Sequence, residues 1–297
     1  MSEQLRAVVV NRSTTKPLAL KTSEFPAGEE YIKIMEPSQV EGAGVAEVKV
    51  TLLSADSKTI MQAILLADAV KRLNKRPRLV LVATYLPYGR QDRVCEKGES
   101  FSLEVVGKMI ESAYDYIETV DVHSAVSKNV FSSSLSKYDE DVYNKYYMKL
   151  EKNSTVQKTK LDICENVDIV VPDNGAVDRA GRLAQHTGYI SETIKLNKRR
   201  IDGKIILSTD DRFIERIKNG KNFVISDDIC DGGGTFIVAA NFIKTYNPNA
   251  EITLILSHGI FSQGLDFLFD FYKTIYVLSN DYNNRRVANA MNMDKSD

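Results

Sequence analysis

The chain is short of the residues that build metal centres and disulfide scaffolds. Its 297 residues include only three cysteines, Cys95, Cys164 and Cys230, odd in number and widely spaced. That pattern argues against a disulfide framework or a cysteine zinc site and for a reducing, cytosolic setting. Only three histidines occur, His123, His186 and His258, which argues against a multi-histidine metal centre. An excess of one charge is missing too. The 39 basic and 40 acidic residues leave a net charge of −1, mixed along the chain, so there is no electrostatic footprint for nucleic acid. No apolar run approaches the roughly 20 residues of a membrane span, and the N-terminus has no signal-peptide pattern. What is present is a hydrophobic content of 43%, enough for an ordinary core. The length suits one large domain or two of about 150 residues.

Strand and helix patterns alternate through both halves. Arg6–Val10, Tyr31–Met35, Glu47–Leu53, Leu79–Ala83 and Ile117–Val120 read as strands of the first half. Val167–Val171, Tyr189–Leu196, Phe223–Ile225, Ile252–Leu256 and Thr274–Leu278 do so in the second. Between them, Asp56–Leu73 is amphipathic, with Ile60, Ile64, Leu65, Ala69 and Leu73 on one face. Ser102–Ala113 reads as a helix capped by Ser100 or Ser102, and Ala176–His186 and Ser262–Phe269 as further helices. Lys137–Lys160 is polar, with a helix expected around Asp141–Leu150 and a joint between halves. The expected class is α/β with mainly parallel sheets flanked by helices.

The most informative stretch is Val224–Thr235, VISDDICDGGGT. Apolar residues suited to a buried strand lead into adjacent carboxylates, Asp227 and Asp228. Asp231, Gly232, Gly233, Gly234 and Thr235 follow, and then an apolar helical pattern. Glycines let backbone N–H groups crowd an anion, and a helix N-terminus adds partial positive charge. The carboxylates suit a vicinal diol or Mg²⁺. The pattern therefore fits a phosphorylated sugar; the plainer reading is a tight strand-to-helix turn.

Other polar clusters fall at strand ends, where open α/β sheets bind ligands. Tyr85–Arg93, YLPYGRQDR, packs rings, guanidinium and amide groups suited to phosphate and flat rings; alone, it reads equally as a solvated charged loop. Asp121 and His123 stand two apart and can share one Mg²⁺ or its waters, although a structural imidazole is the simpler account. Pro172–Ala180, PDNGAVDRA, is a second anion cradle. Asn197-Lys198-Arg199-Arg200, before the turn Asp202-Gly203, is by default a solvated basic turn.

Taken in order, PxxGE, YGRQDR, DxHS, PDxGxxxRA, KRR, DDxxDxGGT and SHGxxSxG resemble the ribose-phosphate pyrophosphokinases over nearly the whole chain. The resemblance implies two phosphoribosyltransferase-type domains, an ATP-side domain over 1–137 and a sugar-phosphate domain over 138–297. It implies self-association into homo-oligomers and Mg²⁺-dependent transfer of the diphosphoryl group of ATP to the 1-hydroxyl of ribose 5-phosphate. By position, Arg90 and Gln91 would contact ATP with Asp92 supporting their loop. Phe25 and Glu29 would form the adenine turn. His123 would hold the metal that accompanies ATP, and Asp173 would face the diphosphate and a second metal. Lys198 and Arg200 would be the catalytic pair on a mobile loop. Asp227 and Asp228 would meet the ribose hydroxyls, and Asp231–Thr235 the 5-phosphate.

Three departures from the family pattern stand out. Ala27 replaces the usual Asp or Asn of the adenine turn, Gly232 replaces the first Thr of the phosphate loop, and the stretch before Phe25 is shorter, implying loss of a helix and of subunit contacts. The Gly232 change suggests an alternative acceptor, a larger ribose 5-phosphoester such as ADP-ribose. A phosphoribosyltransferase would not need YGRQDR, DVHS or KRR. A silent regulatory subunit would be expected to lose Lys198, Arg200, His123, Asp227 or Asp228, all of which are present.

Overall fold

The computed structural model describes residues 4–11, 13–42, 44–131, 135–139, 142–152, 156–163, 166–189, 192–201 and 204–293. The side chains at 135–139, 174, 200, 201, 204, 205, 292 and 293 fall outside that description. The chain divides into two compact units, Met1–Glu140 and Asp141–Asp297.

The first unit runs β1 (Leu5–Asn11), β2 (Thr15–Pro17), β3 (Leu20–Glu24), β4 (Glu30–Ile34), α1 (Ser38–Glu41), β5 (Val45–Leu52) and α2 (Ser57–Leu73). It continues with β6 (Arg78–Val82), α3 (Ser102–Ala113), β7 (Tyr116–Val120), α4 (Val126–Val130) and β8 (Leu135–Asp139). Its sheet has the order β2-β1-β5-β6-β7-β8. From β5 to β8 every pairing is parallel, while β1 lies antiparallel to both β2 and β5. Val48, Val50, Leu79, Leu81 and Ile117 bury their side chains in the core with Leu66 and Val70 of α2 and Ile110 of α3. Each such burial is worth about 1.5–3 kcal/mol.

β3 and β4 form a separate two-stranded ribbon. It is fastened to α2 by Glu30, which accepts from Gln62 Nε2 at 2.6 Å and pairs with Lys58 Nζ at 3.0 Å. This ribbon explains why the buried face of α2 differs from the expected one. Ile60, Ala63, Leu66, Ala67 and Val70 are buried, together with Gln62, whereas Ile64, Leu65, Ala69 and Leu73 are only partly covered. The helix serves a sheet on one side and a ribbon on another, so one hydrophobic stripe does not describe it. Asp56 caps it by accepting from the Thr59 backbone N–H at 2.8 Å. α3 spans the expected residues, but neither serine caps it; Phe101 holds the N-cap position without a side-chain bond.

The second unit runs β9 (Tyr147–Leu150), β10 (Gln157–Thr159), β11 (Asp168–Val171), α5 (Val177–Thr187), β12 (Ile194–Lys195), β13 (Asn197–Ile201) and β14 (Lys204–Ser208). It closes with α6 (Asp211–Asn219), β15 (Asn222–Cys230), α7 (Gly234–Tyr246), β16 (Glu251–Gly259), β17 (Thr274–Leu278) and α8 (Asp281–Met293). The sheet order is β10-β9-β17-β16-β15-β11-β12. The run from β17 to β12 is parallel, and β9 and β10 add an antiparallel edge.

That edge corrects the helix expected near Asp141–Leu150. Tyr147, Met148 and Leu150 are buried along β9 as it pairs with β17. Hydrogen bonding to a sheet edge thus overrides a polar composition that looked like a linker. Three other readings change as well. Within the expected strand Tyr189–Leu196, only Ile194–Lys195 pairs. Ser262–Phe269 is a turn followed by a short 3-10 segment, Asp266–Asp270, and α8 falls where no helix was expected. The basic run, read as a turn, is strand β13, hydrogen-bonded antiparallel to β14. Asp202 and Gly203 lie outside the described residues.

α8 holds the end of β16 through Asn283, which is fully buried. Its amide donates to the carbonyls of Ser257 (2.7 Å) and Leu278 (2.8 Å), and its Oδ1 accepts from the Gly259 N–H at 3.0 Å. Asn283→Ala strands three buried backbone groups and is expected to cost about 2–4 kcal/mol. Thermal unfolding should show this as a Tm lower by roughly 4–12 °C; an unchanged Tm would show that α8 does not anchor β16.

Candidate functional site

The acidic pair sits on β15 itself, not in the loop after it. β15 extends through Asp227 and Asp228 to Cys230, with Asp227 registered against Leu256 and Ile229 against His258 on β16. Pairing with β11 ends at Ile225, and pairing with β16 continues through Asp227 to Cys230, so the carboxylates stand at the C-terminal end of a central parallel strand, tied on the β16 side. The buried Arg179 of α5 faces both, with Nη1 3.4 Å from Asp227 Oδ1 and 3.9 Å from Asp228 Oδ1. Asp227 Oδ1 also accepts from the Asp228 N–H at 2.9 Å. Beneath them the Tyr143 hydroxyl bonds to Ser226 Oγ at 2.8 Å and donates to the Arg179 carbonyl at 3.2 Å. Burial, then the neighbouring Asp228 charge, pushes the Asp227 carboxyl up to about 8, with Arg179 opposing. Such a pair favours a hydroxyl donor or a cation brought to it.

Sequence reasoning assigned no role to Arg179 or Tyr143. The signal for Arg179 was its place in PDxGxxxRA, at the start of the helix after the Gly-containing turn; Tyr143 lay in the stretch expected to be helical.

β15 delivers the glycine loop to α7. Gly233 is the N-cap at φ 74°, and a Cβ there would lie 2.8 Å from the Phe267 ring. Only glycine satisfies both constraints. Gly232 is different. It is exposed, its backbone is not left-handed, and a Cβ would meet only Gln263 Cγ at 3.7 Å and Ser262 Oγ at 3.9 Å. The first amides of α7 precede the first intrahelical bond, Ile237 N–H to the Gly233 carbonyl at 3.0 Å, the arrangement by which helix N-termini bind anions.

Lys198 of β13 reaches this loop. Its Nζ donates to Thr235 Oγ1 at 3.1 Å and to Asp173 Oδ2 at 3.2 Å. Asp173 is the cap of the 3-10 turn Asn174–Ala176, its Oδ1 accepting from Gly175 N–H at 3.0 Å. A cleft of about 490 Å³ opens beside them, lined by Asp173, Gly175, Leu196, Asn197, Lys198, Arg199 and Ser208. Lys198, Asp173 and Thr235, far apart in sequence, therefore converge. Arg200 lies two residues along β13, and its side chain falls outside the described residues. Cys230 is buried with its thiol pushed up to about 12, chiefly by burial, so it is no nucleophile at neutral pH.

The carboxylates here suit a hard cation. Among the described residues no cluster of three or more His, Cys, Asp or Glu side chains could hold a metal. One or two carboxylates at a time fit Mg²⁺, which takes most of its ligands from water and phosphate.

In the first unit, the loop after β6 is tied down at several points. Tyr88 adopts φ 58°, and its hydroxyl meets Ser57 Oγ at 3.1 Å. Gln91 N–H donates to the Tyr88 carbonyl at 2.9 Å, and the Gln91 carbonyl accepts from Leu103 N–H at 3.2 Å. Asp92 is buried and pairs with Arg93, while Arg90 and Gln91 are exposed. Phe25 and Glu29 close the tip of the β3–β4 ribbon, Phe25 N–H donating to the Glu29 carbonyl at 2.8 Å, with Gly28 at φ 93°. His123 is exposed past β7, whereas Asp121 is buried, so the two do not face solvent together.

A family model described as the N-terminal domain of ribose phosphate pyrophosphokinase matches residues 1–113. A ribose-phosphate pyrophosphokinase of Pyrococcus abyssi is 30% identical over 253 residues, 82% of this chain and 78% of that protein. The chain belongs to the ribose-phosphate pyrophosphokinase family. A second member, from Aeropyrum pernix, is 31% identical over 234 residues, covering 77% of this chain and 69% of its own length. The crystal structure of phosphoribosylpyrophosphate synthetase from Mycobacterium smegmatis superimposes with a TM-score of 0.64 at 19% identity, covering 94% of this chain and 91% of that one. The likeness to that structure bears out the α/β fold of two phosphoribosyltransferase-like domains. Family membership bears out the reading of motif order and makes this an enzyme of the kinase type. No helix among the described residues is long and apolar enough to cross a membrane.

The raised Asp227 pKa has a direct consequence. Below about pH 4 folded and unfolded chains are both protonated at this residue. As pH rises toward 8 the unfolded chain releases the proton first, so stability is lost progressively across that window. Asp227→Asn removes this loss. In differential scanning calorimetry without ligand, its Tm should exceed that of the wild type by roughly 2–5 °C at pH 8 and by little at pH 5. An equal gap at both pH values would show that Asp227 ionises normally.

Proposed function

We propose that this protein transfers the β,γ-diphosphoryl group of ATP to the 1-hydroxyl of ribose 5-phosphate, releasing AMP. The single observation that carries the reading is the convergence of Lys198 on Thr235 of the glycine loop and on Asp173. A cation at that point meets the charge that develops when a diphosphoryl group moves to a sugar hydroxyl. Asp227 and Asp228 accept from the vicinal ribose hydroxyls. The α7 amides, Gly232, Gly233, Gly234, Thr235 and Asp231 cradle the 5-phosphate and fix C1. In the first unit Arg90 and Gln91 hold ATP, Asp92 stiffens their loop, and Phe25 and Glu29 take the adenine. Arg200 acts with Lys198.

When bound, Mg²⁺ neutralises phosphate charge; Asp173 and His123 are the residues assigned to hold it. Catalysis by the chain itself is alignment and charge placement rather than covalent work. Self-association, the division into an ATP side and a sugar-phosphate side, and a cytoplasmic setting belong to the same proposal.

Lys198→Ala is expected to lower kcat by about 10²–10⁴ and change the acceptor KM by no more than about threefold, because its contact strengthens in the transition state. Steady-state AMP release with ATP, Mg²⁺ and ribose 5-phosphate measures both. A normal kcat would remove Lys198 from the chemistry.

One observation favours a second acceptor. Gly232 is not required by backbone or packing, and its missing side chain leaves a gap bordered by Gln263 and Ser262. A ribose 5-phosphoester such as ADP-ribose is the acceptor this opening favours. Gly232→Thr should shift the ratio of kcat/KM toward ribose 5-phosphate by roughly tenfold, read by competing the two acceptors and resolving products by phosphorus NMR. An unchanged ratio would mean the opening does not govern acceptor choice.

A further inference from the structure

The loop after β16 is built to press two polar side chains against the open face of the glycine loop. Phe261 adopts φ 49°, a left-handed conformation that bulky residues avoid, and its ring is buried. Strain of this kind persists only where the surroundings enforce it. Here the Cys230 carbonyl, one residue before Asp231, accepts from both Ile260 N–H (2.8 Å) and Phe261 N–H (3.2 Å). Gly264, at φ 80°, closes the turn by donating to the Phe261 carbonyl at 3.1 Å. A Cβ on Gly259 would collide with the Phe261 ring at 2.0 Å, so the ring folds back over glycine and locks the turn. Between the two left-handed residues stand Ser262 and Gln263, both exposed. Ser262 Oγ and Gln263 Cγ lie 3.9 and 3.7 Å from the point where residue 232 would carry a side chain.

The strain thus has a product: a serine hydroxyl and the stem of a glutamine held at the place left bare by Gly232. A carboxamide offers two N–H donors to phosphoryl oxygens without adding charge. We propose that Gln263, supported by Ser262, is an acceptor-binding residue that donates to a non-bridging oxygen of the 5-phosphoryl group. The proposal rests on the sugar-phosphate reading of the glycine loop given above. It adds a contact that holds the acceptor at its phosphate end.

The test separates binding from turnover. Isothermal titration would measure Kd for ribose 5-phosphate, for ADP-ribose and for ATP on the wild type, Gln263→Ala and Gln263→Glu. Gln263→Ala should weaken whichever acceptor the wild type binds by about tenfold, and Gln263→Glu by more, since its carboxylate opposes the phosphate. ATP affinity should be unchanged in both. The exposed position allows both variants to fold, and a Tm within about 2 °C of wild type checks it. Wild-type acceptor affinity in both variants would overturn the proposal, as would an equal loss for ATP. AMP release by the wild type is scored separately. Acceptor binding that depends on Gln263 without any AMP release would leave the binding contact standing and sink the diphosphoryl-transfer reading. AMP release with acceptor affinity indifferent to Gln263 would do the reverse.

Discussion

Two consecutive carboxylates at the end of a buried parallel strand are an electrostatic debt that the surrounding structure is arranged to manage. β15 continues its pairing with β16 from Asp227 to Cys230, which holds the two adjacent carboxylates on a strand backbone. One buried guanidinium, Arg179, stands against two carboxylates. Arg179 is itself positioned from below by Tyr143, which also holds Ser226 on the same strand. Burial and the Asp228 charge therefore make the ionised form of Asp227 costly, and native-state stability is partly sacrificed to keep two carboxylates side by side.

The glycine loop solves the opposite problem, the gathering of donors. Gly233 is fixed by φ and by the Phe267 ring, and it turns the chain sharply enough to start α7 directly after β15. Anion-seeking amides and hydroxyl-seeking carboxylates are thereby set within a few residues. Lys198 arrives from the β13–β14 ribbon, which lies outside the main sheet, and meets the glycine loop at Thr235.

Much of this was legible in the sequence, and the reasons are local. α3 and β17 read correctly because apolar periodicity and burial agree there. The family was legible because several polar clusters kept their order through a long chain, which chance does not produce. What was not legible depended on pairing across distance. β9 looked polar because half its identity comes from β17, and the strand character of Asn197–Ile201 comes from β14 rather than from its own Lys and Arg. The buried face of α2 was rotated from the expected stripe by the ribbon packed on its flank, which no helical wheel contains. Arg179 was visible as a letter in a motif, but its burial beneath two carboxylates was not.

The β3–β4 ribbon carries a consequence of its own. Isolated two-stranded hairpins are marginal in water, yet this one is bolted to α2 through Glu30, Lys58, Gln62 and Glu24. At its tip Phe25 is 52% exposed, its ring held edge-on to Tyr31 at 5.8 Å. An aromatic surface held in water on a fastened ribbon meets a flat surface with less freedom left to lose than a loose loop would have. The ion pairs of α2 with Glu24 and Glu30, made for the ribbon's own stability, thereby also set how firmly its tip is presented.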